Sequence, residues 1–510
     1  PNPGHISIVA LSGGVAEVIH QGFSAMGVGT RIYASNGNAC DITIPEIIRY
    51  LGDDDGTRVI VTYVEGLRDP STFLEVAAKV AAKKPVLAMK AGRTMEGAKA
   101  AASHTGGLAK EDIATDLIFK KAGIVDFRDE GELINAAAAF ASQPIPRGNR
   151  VGIVTNTGGP AVIGTDILVG AGLELPPLSE KTEKRLKEAL YPEATVHNPV
   201  DVLATGTAGH YRACLDAMMD DDHFDCVLVN FVTPFFVDND SIAREIVAVS
   251  TQQKKPIVCN LMTDRRQWAE TVRILQDGGV PCFALPGEAA RALAALVRYH
   301  RIRTRDTGRI KEHPDVDKAR AEKIISVASS AGRLMLSAEE AYNLLDAYRI
   351  PVPDWRMADS AAEAAKVAEE IGFPVVVKAD AASVIHKSDM GAVAVDLRDA
   401  GAVQVAVEKM ADDLAADDLR FFVQKYLPGG TEIILGAKAE EGLGHIIMFG
   451  LGGIFVEVLK DVVFNLTPVT DVDAKEMLVT IKGAPLLAGV RGQEGVDRNA
   501  IEELICRLSQ

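Results

Sequence analysis

Net positive charge is the first thing this chain lacks. Its 510 residues carry 54 Lys and Arg against 70 Asp and Glu, a formal charge of −16. A general nucleic-acid binder needs a basic face to displace counterions from phosphates, so that class is excluded. Cysteine is sparse: six residues (40, 214, 226, 259, 282 and 506) with neither a CxxC pair nor metal-ligand spacing. They read as buried, reduced thiols of a cytoplasmic protein. No apolar run is long enough to span a bilayer. The nearest, 151–173, is broken by Thr157-Gly158-Gly159-Pro160 and by Asp166. Aromatic residues make up only 5% of the chain, whereas glycine is abundant at 45 residues. With 24% charged and 47% hydrophobic residues, this composition excludes disorder, collagen and a long coiled coil. It suits an α/β protein with many strand-to-helix turns.

At roughly 150 residues per domain, the length predicts about three domains. Over the first 300 residues, short β-branched runs (6–11, 58–63, 85–90) alternate with amphipathic helical spacing (73–82, 111–122, 130–140). Such alternation builds a parallel sheet covered on both faces. The pattern then repeats itself. Ile6-Ser-Ile-Val-Ala-Leu-Ser-Gly-Gly-Val-Ala aligns, 145 positions later, with Val151-Gly-Ile-Val-Thr-Asn-Thr-Gly-Gly-Pro-Ala. Two similar domains, 1–143 and 150–300, follow from it, separated by a linker-like 143–150 rich in Pro and Gly. Residues 301–330 are dense in Arg, Lys, His and Asp and read as a solvated connection. From 331 to 510 the pattern changes again. Ser337 and Glu340 form a capping box that opens a helix to Tyr348. A second helix, 361–371, is followed by close-spaced strands at 375–378, 392–396, 421–426, 432–439 and 446–450. Consecutive strands with few helices between them predict an α+β domain with antiparallel pairing.

Four segments carry chemistry. Ser12-Gly13-Gly14 and Thr157-Gly158-Gly159 each end a strand and begin a helix, where backbone N–H groups and the helix dipole favour an anion. One glycine pair can simply be a tight turn; two in paired domains can converge on one phosphate. Residues 90–109 hold no bulky apolar side chain between Met95 and Leu108. They read as a mobile loop presenting His104, an imidazole suited to nucleophilic attack near neutral pH. Glu65, just beyond the strand at 58–63, lies on the sheet edge where ligands gather. Lys378 closes an apolar strand ahead of a polar loop containing His386. Finally, Gly452-Gly453 makes a turn followed by Glu457 and Asp461. Asn198-Pro199-Val200-Asp201 reads as a polar turn, and Phe231, Phe235, Phe236 and Trp268 as core or pocket residues.

In this order the motifs resemble the ADP-forming (NDP-forming) acyl-CoA synthetases, relatives of succinyl-CoA synthetase, over essentially the whole chain. The resemblance implies two flavodoxin-like parallel-sheet domains and a terminal ATP-grasp. It implies that His104 becomes phosphorylated and that Glu65 orients it. Ser12, Gly13, Gly14, Thr157, Gly158 and Gly159 would cradle the phosphohistidine. Lys378 would bind nucleotide phosphate, and His386 would relay the γ-phosphoryl group. Val423, Gln424 and Lys425 would hold adenine through backbone groups. Glu432 would lie near ribose or metal, beside Gly452 and Gly453, with Glu457 and Asp461 as Mg²⁺ ligands. ATP or ADP, Mg²⁺ and coenzyme A are the implied cofactors, and a small carboxylic acid is the implied substrate.

The chain departs from the family pattern in three places. No CoA-binding Rossmann domain precedes Pro1, no acidic Asn-Pro strand precedes Gln510, and Ala-Leu-Ser-Gly-Gly replaces the usual Ser-Gln-Ser-Gly. CoA binding is therefore expected from another part of a longer protein or from a separate subunit, in a homo-oligomer such as a dimer. Ligation coupled to a further step such as elimination, and a non-catalytic binding relative, are the competing functions. The intact set of His104, Glu65 and Lys378 favours an enzyme.

Overall fold

The computed structural model describes residues 3–37, 39, 41–99, 113–381, 392–414, 418–453, 461–490 and 494–510. The chain divides after Asp306 into two compact units.

The first unit contains two parallel sheets of identical topology. Strands β1 (Pro3–Ala10), β2 (Thr30–Ser35), β3 (Val59–Val64), β4 (Val86–Lys90) and β5 (Val125–Phe127) are ordered β2-β1-β3-β4-β5. Strands β6 (Val151–Thr155), β7 (Val200–Asp201), β8 (Cys226–Val232), β9 (Ile257–Met262) and β10 (Cys282–Phe283) are ordered β10-β9-β8-β6-β7. Read from the second strand of each set, both are the flavodoxin-like 2-1-3-4-5 arrangement. The central strands are apolar because helices cover both faces; every residue of β3 and of β6 is buried.

The two sheets share one core. A single apolar cluster runs from Ile6, Ile8 and Val61 of the first sheet to Ile153, Leu228 and Val258 of the second. Phe140, on helix Glu130–Ser142, meets Tyr299, on helix Pro286–Thr304, edge to face at 5.5 Å. The segment between the repeats is anchored, although its composition resembles a linker. Gln143 is buried and donates to Gly279 O (2.8 Å) and Ser250 Oγ (3.1 Å), while accepting from Ile257 N (2.9 Å). Asn198 is likewise structural, not a lining residue. Its amide bonds Ile153 N, Val151 O and Pro176 O at 2.9–3.0 Å, and Val200–Asp201 adds an edge strand.

The charged stretch 301–330 holds the division between the two units and is partly helical. Helix Pro286–Thr304 runs into this stretch, and helix Lys318–Ser330 occupies its second half. Arg301 donates to the carbonyls of Ala171 and Gly172, so part of the charge caps a neighbouring helix end.

The second unit is α+β. Strands β11 (Trp355–Ala358), β12 (Val375–Asp380), β13 (Val393–Leu397) and β14 (Arg420–Lys425) form an antiparallel sheet ordered β11-β14-β12-β13. A second sheet orders β15 (Ile433–Glu440), β16 (Gly444–Leu451) and β17 (Val462–Leu466). Helices Ala361–Ile371 and Ala400–Leu414 bury the first sheet's apolar face, and Asp471–Thr480 and Arg498–Leu508 bury the second's. The expected capping box is present: Glu340 N donates to Ser337 Oγ (3.2 Å) and Ser337 N to Glu340 Oε2 (2.9 Å). Arg333 also grips the Glu340 carboxyl, which is lowered to about 2.

If the two sheets unfold as one body, Phe140→Ala should cost about 3–5 kcal/mol of stability. Urea unfolding followed by hydrogen exchange should then show both sheets losing protection together; loss confined to one sheet would contradict a shared core.

Candidate active site

Ligands of open α/β sheets collect beyond the carboxyl ends of the strands, at the point where strand order reverses. In these sheets the reversal falls at β1 and β6, each flanked on both sides by later strands. The two glycine turns follow those two strands. Ser12 is extended and caps helix Gly13–Ala25, its Oγ accepting from Val15 N at 3.4 Å and its carbonyl from Ala16 N at 3.0 Å. Thr157 opens helix Gly158–Gly170, but no side chain caps that helix. Instead Thr155 Oγ1 fixes the turn, accepting from Thr157 N (3.1 Å) and donating to Thr157 O (2.6 Å). Asn156 adds a reciprocal clamp to Val232 at 2.9 and 3.0 Å.

Neither Gly158 nor Gly159 has a positive φ, and a methyl group on either would meet nothing within 4 Å. The fold itself does not require glycine there. What glycine leaves is open space over the first N–H groups of a helix, which suits a bulky anion.

Glu65 follows β3 on the same edge. Tyr63 Oη donates to Glu65 Oε1 at 3.2 Å. Burial, reinforced by the Glu65 charge, pushes the phenol up to about 12, so it stays a donor. His104 lies outside the described residues, but its flanks are held. Arg93, on the N-terminal flank, bonds Asp116 on helix Ile113–Ala122 and lies 3.5 Å from Asp126. Beside Gly14 opens a cavity of about 420 Å³, lined among others by Val15, Val18, Tyr63 and Met89.

In the second unit Lys378 Nζ donates to Gln424 Oε1 at 2.8 Å, and Tyr342 Oη donates to the same oxygen at 3.1 Å. Phe422 stacks on Trp355 at 5.1 Å, with Tyr342 tilted against it at 4.6 Å. Sequence reasoning missed Tyr342 and Trp355, which look like ordinary helix and strand residues until the sheet joins them. The expected adenine contacts at Val423–Lys425 fall on an interior strand. Val423 and Gln424 pair with β11 on one side and β12 on the other, and Lys425 N donates to Asp354 O. Lys425 Nζ is taken up by the Gly372 and Phe373 carbonyls at 2.7 and 2.8 Å. Gln424 instead contributes its side chain.

Glu432 stands over the glycine turn. Gly452 N donates to Glu432 O at 2.7 Å, and a Cβ on Gly453 (φ +62°) would lie 2.5 Å from Glu432 Oε2. Backbone and Cβ atoms of Glu432 leave no room for a side chain at Gly452, and the left-handed backbone favours glycine at Gly453. Asp461 is occupied otherwise than as an open ligand. It is buried, and its two oxygens accept from Lys482 N and Gly483 N at 2.7 Å each. His386 and Glu457 lie outside the described residues. Among the described residues no cluster of three His, Cys, Asp or Glu is placed to hold a metal. Glu432 is an exposed carboxylate at the turn, of the kind that can hold Mg²⁺ alongside nucleotide phosphates.

Family models cover nearly the whole chain. A succinyl-CoA ligase-like flavodoxin domain matches residues 3–140, a ligase-CoA domain 151–307 and an ATP-grasp domain 327–510. The 4-hydroxybutyrate–CoA ligase (ADP-forming) of Nitrosopumilus maritimus is 35% identical over 517 residues, covering 100% of this chain and 74% of the relative. The chain belongs to the ADP-forming acyl-CoA synthetases. Within that family, acetate–CoA ligase (ADP-forming) I of Archaeoglobus fulgidus is 34% identical over 516 residues, again covering 74% of the relative. Among solved structures, a synthetase chain of Ca. Korarchaeum cryptofilum, described as dinucleotide-forming acetyl-coenzyme A synthetase 1 with phosphate and ADP, superposes with a TM-score of 0.57. It is 27% identical and covers 60% of this chain and 66% of that one.

Gly158→Ala should leave the thermal midpoint unchanged or raised, since alanine removes about 0.5–1 kcal/mol of glycine's entropic cost. Acyl-CoA-dependent ADP turnover should nevertheless fall about tenfold or more, because the methyl group enters the space over the helix end. Equal loss of stability and activity would make the glycine structural.

Proposed function

We propose that this synthetase activates a carboxylic acid by a phosphoryl relay, with the residues in the following roles. Lys378, held by Gln424, and Glu432 bind the phosphate end of ATP in the second unit. Mg²⁺, when bound, neutralises those phosphates. Imidazole nitrogen attacks the γ-phosphorus and ADP leaves; His386 relays the group and His104 carries it. Glu65, held by Tyr63, orients the His104 ring and balances its positive charge. A carboxylate oxygen of the acid then attacks phosphorus, freeing His104 and forming an acyl phosphate. The thiol of coenzyme A attacks the acyl carbon, forming the thioester and expelling phosphate.

The observation that carries this reading is the doubled glycine turn at two equivalent sheet positions, with open space over the second. Each helix end contributes about 0.3–1 kcal/mol toward an anion when exposed and up to about 2 when partly buried. Two ends together are enough to hold a phosphorylated loop without trapping it. The relay is needed because nucleotide and acyl chemistry belong to different domains, and positioning with charge neutralisation is most of what phosphoryl transfer demands. The five described cysteines are buried free thiols, which supports a reducing, cytoplasmic setting.

Incubation with Mg²⁺ and γ-labelled ATP should place an acid-labile, base-stable label on the chain that ADP removes; in His104→Ala any label should sit on His386 alone and should not be discharged by a carboxylic acid. Label that an acid still discharges in this variant would reassign the carrier. Lys378→Met should raise the KM for ATP about tenfold or more, as expected on losing a charge-assisted contact; an unchanged KM would take Lys378 out of the nucleotide site.

A further inference from the structure

The cavity beside the first glycine turn is larger than phosphoryl transfer needs. At about 420 Å³ it falls in the lower range of small-molecule pockets, roughly 300–1,000 Å³. Val15 and Val18 line it from helix Gly13–Ala25, and Tyr63 and Met89 from adjacent strands, where they are register partners. Buried Lys90 and its neighbour Ala91 line it at the end of β4, and Arg128 and Glu130, both exposed, complete the lining toward solvent. These walls are mostly apolar.

The internal repeat supplies a control. In the first sheet Ala10, Tyr63 and Met89 lie side by side; in the second the same row is Thr155, Asn230 and Asn260. Asn230 and Asn260 are fully buried, and neither amide oxygen has a hydrogen-bond partner. An apolar floor at these positions is therefore not imposed by the fold. It belongs to the first copy, which also carries Glu65 and the His104 segment.

One end of the cavity is chemically defined. Gly14 lines it, and Tyr63, another wall residue, bonds Glu65. A ligand with its carboxylate at Gly14 would have its tail along Val15, Val18 and Met89. The geometry points to this cavity as the acyl pocket, and to a monocarboxylic acid with an apolar tail longer than acetyl as its substrate class. This rests on the phosphohistidine reading above. A dicarboxylate gains less from the valine and methionine wall, although Lys90 gives the lining one buried cation.

The test uses hydroxylamine to trap the acyl phosphate, so it does not depend on coenzyme A. With Mg²⁺ and ATP, hydroxamate formation is measured for acetate, butyrate, hexanoate, phenylacetate and succinate. KM should fall about fourfold for each added methylene until the cavity is filled, and succinate should be poorer than butyrate. Val18→Trp and Met89→Trp should each shift the hexanoate-to-acetate ratio of kcat/KM at least about tenfold toward acetate. Val18 is half exposed, so that variant does not threaten the core. Hydroxamate from every acid with a flat KM, succinate as the best acid, or ratios unmoved in both variants would overturn the pocket alone. No hydroxamate from any acid, together with no label on His104, would overturn the relay on which it rests.

Discussion

A phosphoryl group carries more negative charge than a protein interior tolerates, and in the relay proposed above the first unit meets that charge without mobile cations. The means is the exposed N-terminus of a helix, where unpaired N–H groups and the dipole act together. Such an end is useful only if the chain can be approached closely, and glycine at Gly158 and Gly159, where neither backbone angle nor packing calls for it, leaves that approach open. The strand before each turn must be fixed and buried, and the Thr155 and Asn156 clamps lock the second turn against its neighbours.

Duplication gives two such ends in one body. Because a single apolar cluster joins both sheets, the helices that follow β1 and β6 are held to a common core rather than to two separately moving domains. Symmetry is then broken where chemistry differs. The first copy carries the Tyr63–Glu65 pair, an apolar cavity and the Arg93 brace at the base of the His104 segment. The second carries buried amides at the matching strand ends. In the second unit the same requirement for close approach recurs at Gly452 and Gly453, which Glu432 overlies.

Much of this was legible in the sequence because it is written in short-range pattern. Strands buried on both faces read as unbroken β-branched runs, so the repeat at Ile6 and Val151 revealed two similar sheets before any coordinates. The capping box at Ser337 and the glycine turns were legible for the same reason. What depends on distant partners was not. Strand β7 is two residues long and owes its place to Asn198 bonding across to β6. The charged stretch after Tyr299 gave no sign that it begins with the last turn of a core helix and ends in helix Lys318–Ser330. That Val423–Lys425 lies between β11 and β12, and that the Lys482–Gly483 turn bonds both oxygens of Asp461, depends on distant partners in the same way.

The central claim is that a phosphoryl group held on histidine passes from the nucleotide to the acid. The most direct measurement is a chase: phosphorylate the protein with MgATP, remove all nucleotide, divide the sample, and add ADP to one half and carboxylic acid with hydroxylamine to the other. The account predicts that ADP returns the label as ATP and that the acid discharges it as hydroxamate plus free phosphate, each in stoichiometric amount. Label that responds to ADP but never to any acid would contradict it, because the phosphoryl group would then be a side product and not the carrier between the two sites.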